Sequence, residues 1–170
     1  MRKLLLATLS AGSLIATVGS VDAATTTTNF NVSATVAANC LASATALNFG
    51  TYTPAAGNAT STTTVSVRCT KNTAFTVALN GGSTTGGTIA QRLLTDGSGN
   101  SLRYNLYRDA AFTLLFGDGT TGTTTGGTGN GMAPASAVAV SVYGQLPDTV
   151  TNQGSPAGTY TDLINVTVTY

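Results

Sequence analysis

The sequence has no histidine, no glutamate and no tryptophan, and only 8 % of its 170 residues are charged. Without histidine and glutamate the usual general bases are missing, and a Ser-His-Asp triad cannot be assembled. The acids that remain are aspartates scattered over turn-rich segments, and nothing in their spacing brings two carboxylates to one cleft. The chain is not read as an enzyme. Zinc lacks ligands as well, because the two cysteines have neither a histidine nor a second cysteine pair to complete a tetrahedral set. No metal and no cofactor is expected. Beyond residue 23, Arg68, Lys71, Arg92, Arg103 and Arg108 balance Asp96, Asp109, Asp118, Asp148 and Asp162. That neutrality leaves no electrostatic footprint for nucleic acid.

Long apolar runs are equally scarce. One occurs at 4–18, behind Arg2 and Lys3, and it is interrupted by Ser10, Gly12, Ser13 and Thr17. It is short for a membrane anchor. Val21-Asp22-Ala23 fits the small-residue rule for cleavage, so residues 1–23 read as a signal peptide with Ala24 as the new N-terminus. No second such run follows, so no direct membrane insertion is expected. About 147 residues remain, enough for one sandwich-sized domain. Both Cys40 and Cys69 lie in the exported part. In an oxidising compartment this favours a disulfide over a metal site or a reactive thiol. Closing a loop of about thirty residues contributes about 3–4 kcal/mol on the chain-entropy account.

What the chain has in abundance is threonine, about one residue in five of the exported part, together with valine and 20 glycines. Threonine and valine favour strands, while glycine and asparagine favour the turns between them, so the class is all-β. Strand candidates are 46–52, 62–69, the Phe75-Val77-Leu79 alternation, 89–94, 102–107, a short one at 111–116, and 138–146. No amphipathic helix is expected outside the signal peptide. The Gly/Thr stretch at 117–133 reads as an exposed or flexible loop. Its Gly117-Asp118-Gly119-Thr120-Thr121-Gly122 matches a dinucleotide fingerprint by chance, since no helix can follow it. Gly126 to Gly131 occurs once and lacks the aspartate of a stacked calcium repeat. Tyr104, Tyr107 and Tyr143 could line a sugar-binding face, but packing in or on a sheet is the simpler role.

The two ends of the exported chain are the informative part. After a polar leader of Ala24 and threonines 25–28, Phe30, Val32, Ala34 and Val36 alternate with Asn29, Asn31, Ser33 and Thr35, ahead of Cys40. At the other end Tyr160, Ile164, Val166, Val168 and Tyr170 alternate with Thr161, Asn165, Thr167 and Thr169. After Tyr170 the sequence supplies nothing to pair with that strand, so an open edge is expected. A loose strand in front and an open edge behind are what a polymerising β-domain needs.

Leu47-Asn48-Phe49-Gly50-Thr51-Tyr52 follows Cys40, and Val65-Ser66-Val67-Arg68-Cys69-Thr70 carries the second cysteine. Leu102-Arg103-Tyr104-Asn105-Leu106-Tyr107 precedes Phe116-Gly117-Asp118-Gly119, and the sequence closes with Gly158-Thr159-Tyr160-Thr161-Asp162 and Val166-Thr167-Val168-Thr169-Tyr170. Together these resemble the spore coat protein U family, which includes the pilins of archaic (Csu-type) chaperone–usher pili. Phe116 departs from the tryptophan expected before the Gly-Asp-Gly turn. The resemblance implies an incomplete immunoglobulin-like β-sandwich at 39–170 that lacks its final strand, preceded by an N-terminal donor-strand segment at 24–38. It implies Phe30, Val32, Ala34 and Val36 as the plugs of the donor strand. Tyr160, Ile164, Val166, Val168 and Tyr170 would belong to the acceptor groove. It further implies a periplasmic chaperone, an outer-membrane usher and neighbouring pilin subunits as partners, in a homo-polymer or mixed fibre. The product would be a surface pilus, exported through the periplasm and supporting adhesion and biofilm formation, with the Tyr170 carboxylate as a chaperone anchor. A single domain with a donor strand belongs below the fibre tip. The alternatives are a secreted monomeric β-sandwich carbohydrate-binding module, in which Phe30 to Val36 pair within their own domain, and a self-assembling spore-coat or surface-layer protein.

Overall fold

The computed structural model describes Gly19 and residues 21–170. The expected signal peptide at 1–23 lies almost wholly outside the described residues. The chain divides into two compact units, Met1–Thr35 and Val36–Tyr170. The described part of the first unit contains no helix or strand, and Phe30 and Val32 are 85 % and 84 % exposed. The alternation at 29–36 therefore forms no strand within this chain. Extended backbone becomes a strand only when a neighbour takes up its N–H and C=O groups.

The second unit is built from β1 (Cys40–Ala44), β2 (Ala59–Cys69), β3 (Ala74–Leu79), β4 (Arg92–Thr95), β5 (Ser101–Tyr107), β6 (Thr125–Thr128), β7 (Val138–Leu146) and β8 (Val166–Thr169). A 3₁₀ turn, Pro134–Ser136, and a one-turn helix α1, Val150–Gln153, flank β7. The strands pair antiparallel in two sheets, ordered β1-β2-β7-β5-β4 and β6-β3-β8. Period-two burial fills the space between the sheets. Val65, Val67 and Cys69 of β2 face Phe75, Val77 and Leu79 of β3, with Leu102, Tyr104 and Leu106 of β5 and Val140, Val142 and Leu146 of β7. This is an immunoglobulin-like sandwich. β1, β2, β7 and β5 stand where that fold has strands A, B, E and D, and β3 and β8 stand as C and F. In that plan a strand G lies beside F. Among the described residues no strand occupies that edge of β8.

Cys40 and Cys69 are bonded to each other and sit directly opposite in the β1–β2 register, with Cα atoms 4.1 Å apart. Several expectations shift, among them 89–94, where the strand begins only at Arg92. Residues 46–52 are not a strand, because β1 ends at Ala44 and the chain then leaves β2. Residues 111–116 make only isolated bridges, Leu115 to Tyr107 and Phe116 to Thr123. The final strand is confined to 166–169. The Gly/Thr stretch, read as a loop, contributes β6 against β3, where Gly127 is needed: a Cβ there would lie 2.6 Å from the Phe75 ring.

Candidate functional site

Beside β8, the second unit carries a groove of about 1260 Å³. One wall is the 44–54 segment, with Leu47, Phe49 and Tyr52; the other is 155–166, with Tyr160, Ile164 and Val166. Leu79, Leu102, Tyr104, Val142 and Leu146 reach it from the core. The groove exists because β1 peels away from β2. The last ladder contact is the Thr45 N–H to the Thr64 carbonyl at 3.2 Å, and the Thr63 hydroxyl then donates to the Thr45 carbonyl at 2.6 Å. Beyond that point Leu47 and Phe49 lie across β7 at Gly144, where a Cβ would come within 2.8 Å of Leu47 and 3.0 Å of Phe49. The Phe49 ring meets Tyr104 edge-on, with centroids 6.0 Å apart.

Two aspartates tie the walls down. Asp148 accepts from the Tyr52 hydroxyl, from the backbone N–H groups of Ala55 and Gly57, and from Gln153. The Tyr52 bond and these donors hold its carboxyl down at about 2, whereas burial and the carboxylate push Tyr52 up to about 12. On the opposite wall, Asp162 accepts from the backbone N–H and hydroxyl groups of Ser83 and Thr84 and from the Tyr104 hydroxyl at 2.6 Å. Burial raises the Asp162 carboxyl, but this set of donors outweighs it and keeps the group below the ordinary carboxylate range. Burial, reinforced by that carboxylate, raises Tyr104. The approach is possible because Gly82 has no side chain; a Cβ there would fall 2.0 Å from the Asp162 carboxylate.

Beneath this latch lies Arg92, 0 % exposed, donating to the carbonyls of Asn80, Ile89 and Phe116. Burial lowers its pKa, and the Asp162 carboxylate acts the other way. Asn152 of α1 is buried too, and bonds both the N–H and the C=O of Arg103. It thereby fixes the 147–155 connection to β5.

Among the described residues, no strand pairs with the edge of β8 beside the groove. Asn80 and Asn165 meet through the Asn80 N–H to the Asn165 carbonyl, so on the β3 side the ladder runs through Asn165, Thr167 and Thr169. By antiparallel alternation, the N–H and C=O groups of Val166 and Val168 point to the open side. Side chains alternate with the same period: Tyr160, Ile164, Val166 and Val168 are half-buried, while Thr161, Asn165, Thr167 and Thr169 are exposed.

Of the residues assigned to an acceptor groove from sequence, Tyr160, Ile164 and Val166 line it together. Val168 packs on the core opposite Val77 and is not part of the lining, and Tyr170 is 57 % exposed and outside it. The wall formed by Leu47, Phe49 and Tyr52 was missed, although its apolar alternation was visible as a supposed strand. Phe30 and Val32 lie in the first unit, Val36 opens the second at 81 % exposed, and Ala34 is exposed as well.

The model of the Spore Coat Protein U domain family matches residues 26–167. The chain belongs to that family. It is 34 % identical over 179 residues to Protein U of Myxococcus xanthus, an alignment that covers 96 % of this chain and 95 % of that protein. Among solved structures it is similar to a chain of the CsuC–CsuE chaperone–tip adhesion subunit pre-assembly complex from the archaic chaperone–usher Csu pili of Acinetobacter baumannii. The TM-score is 0.53 and the identity 26 %, over 80 % of this chain but only 40 % of that one. This Spore Coat Protein U domain thus spans less than half of the chain it resembles there.

Proposed function

We propose that this chain is a structural subunit of a chaperone–usher fibre, polymerising when residues 24–38 of one copy fill the groove of the next. The observation that carries this reading is the open apolar groove beside β8, matched in length and period by the leader. Phe30 to Val36 and Tyr160 to Val166 each span six residue steps, about 20 Å in extended backbone. In a filled groove the donor's backbone would pair with the free groups of Val166 and Val168, while Phe30, Val32, Ala34 and Val36 would take successive inward positions. Full burial of Phe30, Val32 and Val36 contributes about 1.5–3 kcal/mol each. A chaperone strand would cover the same edge before assembly, since an unfilled apolar edge invites aggregation. An usher would then exchange that strand for a subunit's leader. Similarity to a chain of a chaperone–tip adhesion subunit pre-assembly complex supports the chaperone step. Surface attachment and biofilm formation follow as the role of the fibre.

The test deletes residues 25–38 and expresses the chain with its export genes. Chaperone binding should persist, whereas the ladder of multimers seen without boiling, and collapsed by boiling, should vanish because kinetically trapped strand exchange has no donor. Normal polymers from the deletion would refute the proposal. The family's description favours a second reading, a self-assembling coat protein; it predicts assembly from purified chain without chaperone or usher. A sugar-binding face finds less support, because Tyr104 is buried and Tyr107 stacks edge-on against Phe112.

A further inference from the structure

The second unit has two chemically different ends. At one, Cys40 faces Cys69, the 70–73 turn leads into β3, and the backbone around Gly129 and Gly131 folds against Thr73 and Cys69. The charged side chains of these segments are Lys71, exposed in the turn, and Arg68, whose guanidinium reaches the Met132 carbonyl at 3.5 Å; Arg108 and Asp109, of opposite sign, follow β5 where it runs toward this same end. No described acidic side chain belongs to these segments. The other end gathers the 53–58, 96–100 and 147–159 loops around the groove mouth. Asp148 ties the first loop to the third, and Ser155 bonds the Ser101 carbonyl just past the second. Asp96 and Asp148 sit in these loops, Asp162 is engaged in the latch, and Arg103 lies on the outward face of β5.

The leader departs from the basic end under constraint. The Thr70 N–H donates to the Asn39 carbonyl at 2.9 Å, and the Asn39 N–H donates to the Thr70 hydroxyl oxygen at 3.1 Å. That hydroxyl also reaches the Ala37 carbonyl at 3.4 Å. Only residues 37–39 separate Val36 from Cys40, so Cα atoms 36 and 40 are at most about 14 Å apart. A domain whose Val36 is seated in a neighbour's groove is therefore held against that neighbour.

The two possible strand directions bring different surfaces together. β8 runs from the groove mouth toward the basic end, since Val166 pairs with Leu79 and Thr169 with Thr76. A donor strand antiparallel to β8 leaves the groove at the mouth, and sets the donor's basic end on the acceptor's acidic loops. A parallel donor would leave at the other end and set basic on basic. We infer that the Lys71–Arg68 end and the Asp96–Asp148 loops form a docking surface between consecutive copies of this chain, which orients the incoming domain and favours antiparallel donation. The inference rests on the proposed strand exchange. It adds a contact outside the groove, of the head-to-tail kind that extends into a filament.

The test separates the groove from the ends. A synthetic peptide of residues 25–38 and the whole chain are offered as donors to chain lacking its own leader, and incorporation is followed on unboiled gels. Lys71→Glu in the whole-chain donor should slow incorporation about three- to tenfold at low ionic strength, an effect erased by about 0.5 M salt. The peptide, which carries no Lys71, should bind independently of salt and of Asp96→Lys in the acceptor. A Lys71→Glu donor on an Asp96→Lys acceptor should regain most of the lost rate. If the peptide binds while whole-chain incorporation ignores salt and both substitutions, the docking surface is overturned and strand exchange stands. If the peptide fails to bind, strand exchange itself is wrong and the docking surface falls with it.

Discussion

The Tyr104 hydroxyl donates to the Asp162 carboxylate at 2.6 Å, joining β5 to the 155–166 wall of the groove. Tyr104 is 5 % exposed and cannot exchange this partner for water. Tyr104→Phe keeps the ring against Phe49 and removes only the donor. It should lower stability by about 1–2 kcal/mol, the lower part of the range for bonds to a charged group because Asp162 stays partly solvated. Urea denaturation of the exported chain measures this. An unchanged midpoint would mean that the latch is incidental to the fold.

The Tyr52–Asp148 pair sets both pH limits of the other wall. Asp148 is held at about 2, below its ordinary 3.8, so its contribution is full above about 4 and disappears as pH falls through 2. Tyr52 is raised to about 12 from 10.0, so its contribution is full below pH 10 and disappears as pH rises through 12. Thermal midpoints should therefore be flat between these limits and fall on both sides. Asp148→Asn should shrink the acid arm and leave the part due to Asp162, whose carboxyl is also held below the ordinary range; an acid arm of unchanged size in that variant would assign it wholly to other carboxylates.

The alternation that marked β2, β3, β5 and β7 was legible because each of these strands has one face in the core. The same pattern misled at 46–52. Leu47 and Phe49 alternate because they pack on the sheet at Gly144, not because their backbone belongs to a ladder. Glycine was ambiguous for a related reason. In a Gly/Thr run it signals a loop, yet Gly127 admits the Phe75 ring and lets β6 pair. Arg92 was hidden altogether, since a lone arginine reads as surface until three backbone carbonyls are found converging on it. The groove's strand wall was visible in Tyr160, Ile164 and Val166; its other wall depends on where β1 leaves β2, which is a tertiary event.

The disulfide lies at the root of the leader. It joins facing residues of β1 and β2, 29 positions apart, where no strand among the described residues lies on the other side of β1. Cys40→Ala with Cys69→Ala should cost about 2–4 kcal/mol by freeing the unfolded chain. Urea denaturation with and without reductant would show it, with reductant affecting only the parent. Equal midpoints for the oxidised parent and the double variant would show that the bond adds nothing to stability.

Gly144 offers the sharpest separation of fold from groove. Its strand is central, paired to β2 on one side and β5 on the other, so its backbone is fixed. A Cβ there meets the ends of Leu47 and Phe49 at 2.8 and 3.0 Å, and a side chain larger than a methyl group can be admitted only by shifting the 46–49 wall. Gly144→Ala should cost little, since flexible tips can yield by a few tenths of an ångström. Gly144→Val should cost about 1–3 kcal/mol and displace that wall. Binding of the 25–38 peptide should fall from glycine to alanine to valine, while the disulfide and the far-UV spectrum stay as in the parent. Equal peptide binding by all three folded variants would remove Leu47 and Phe49 from the accepting surface.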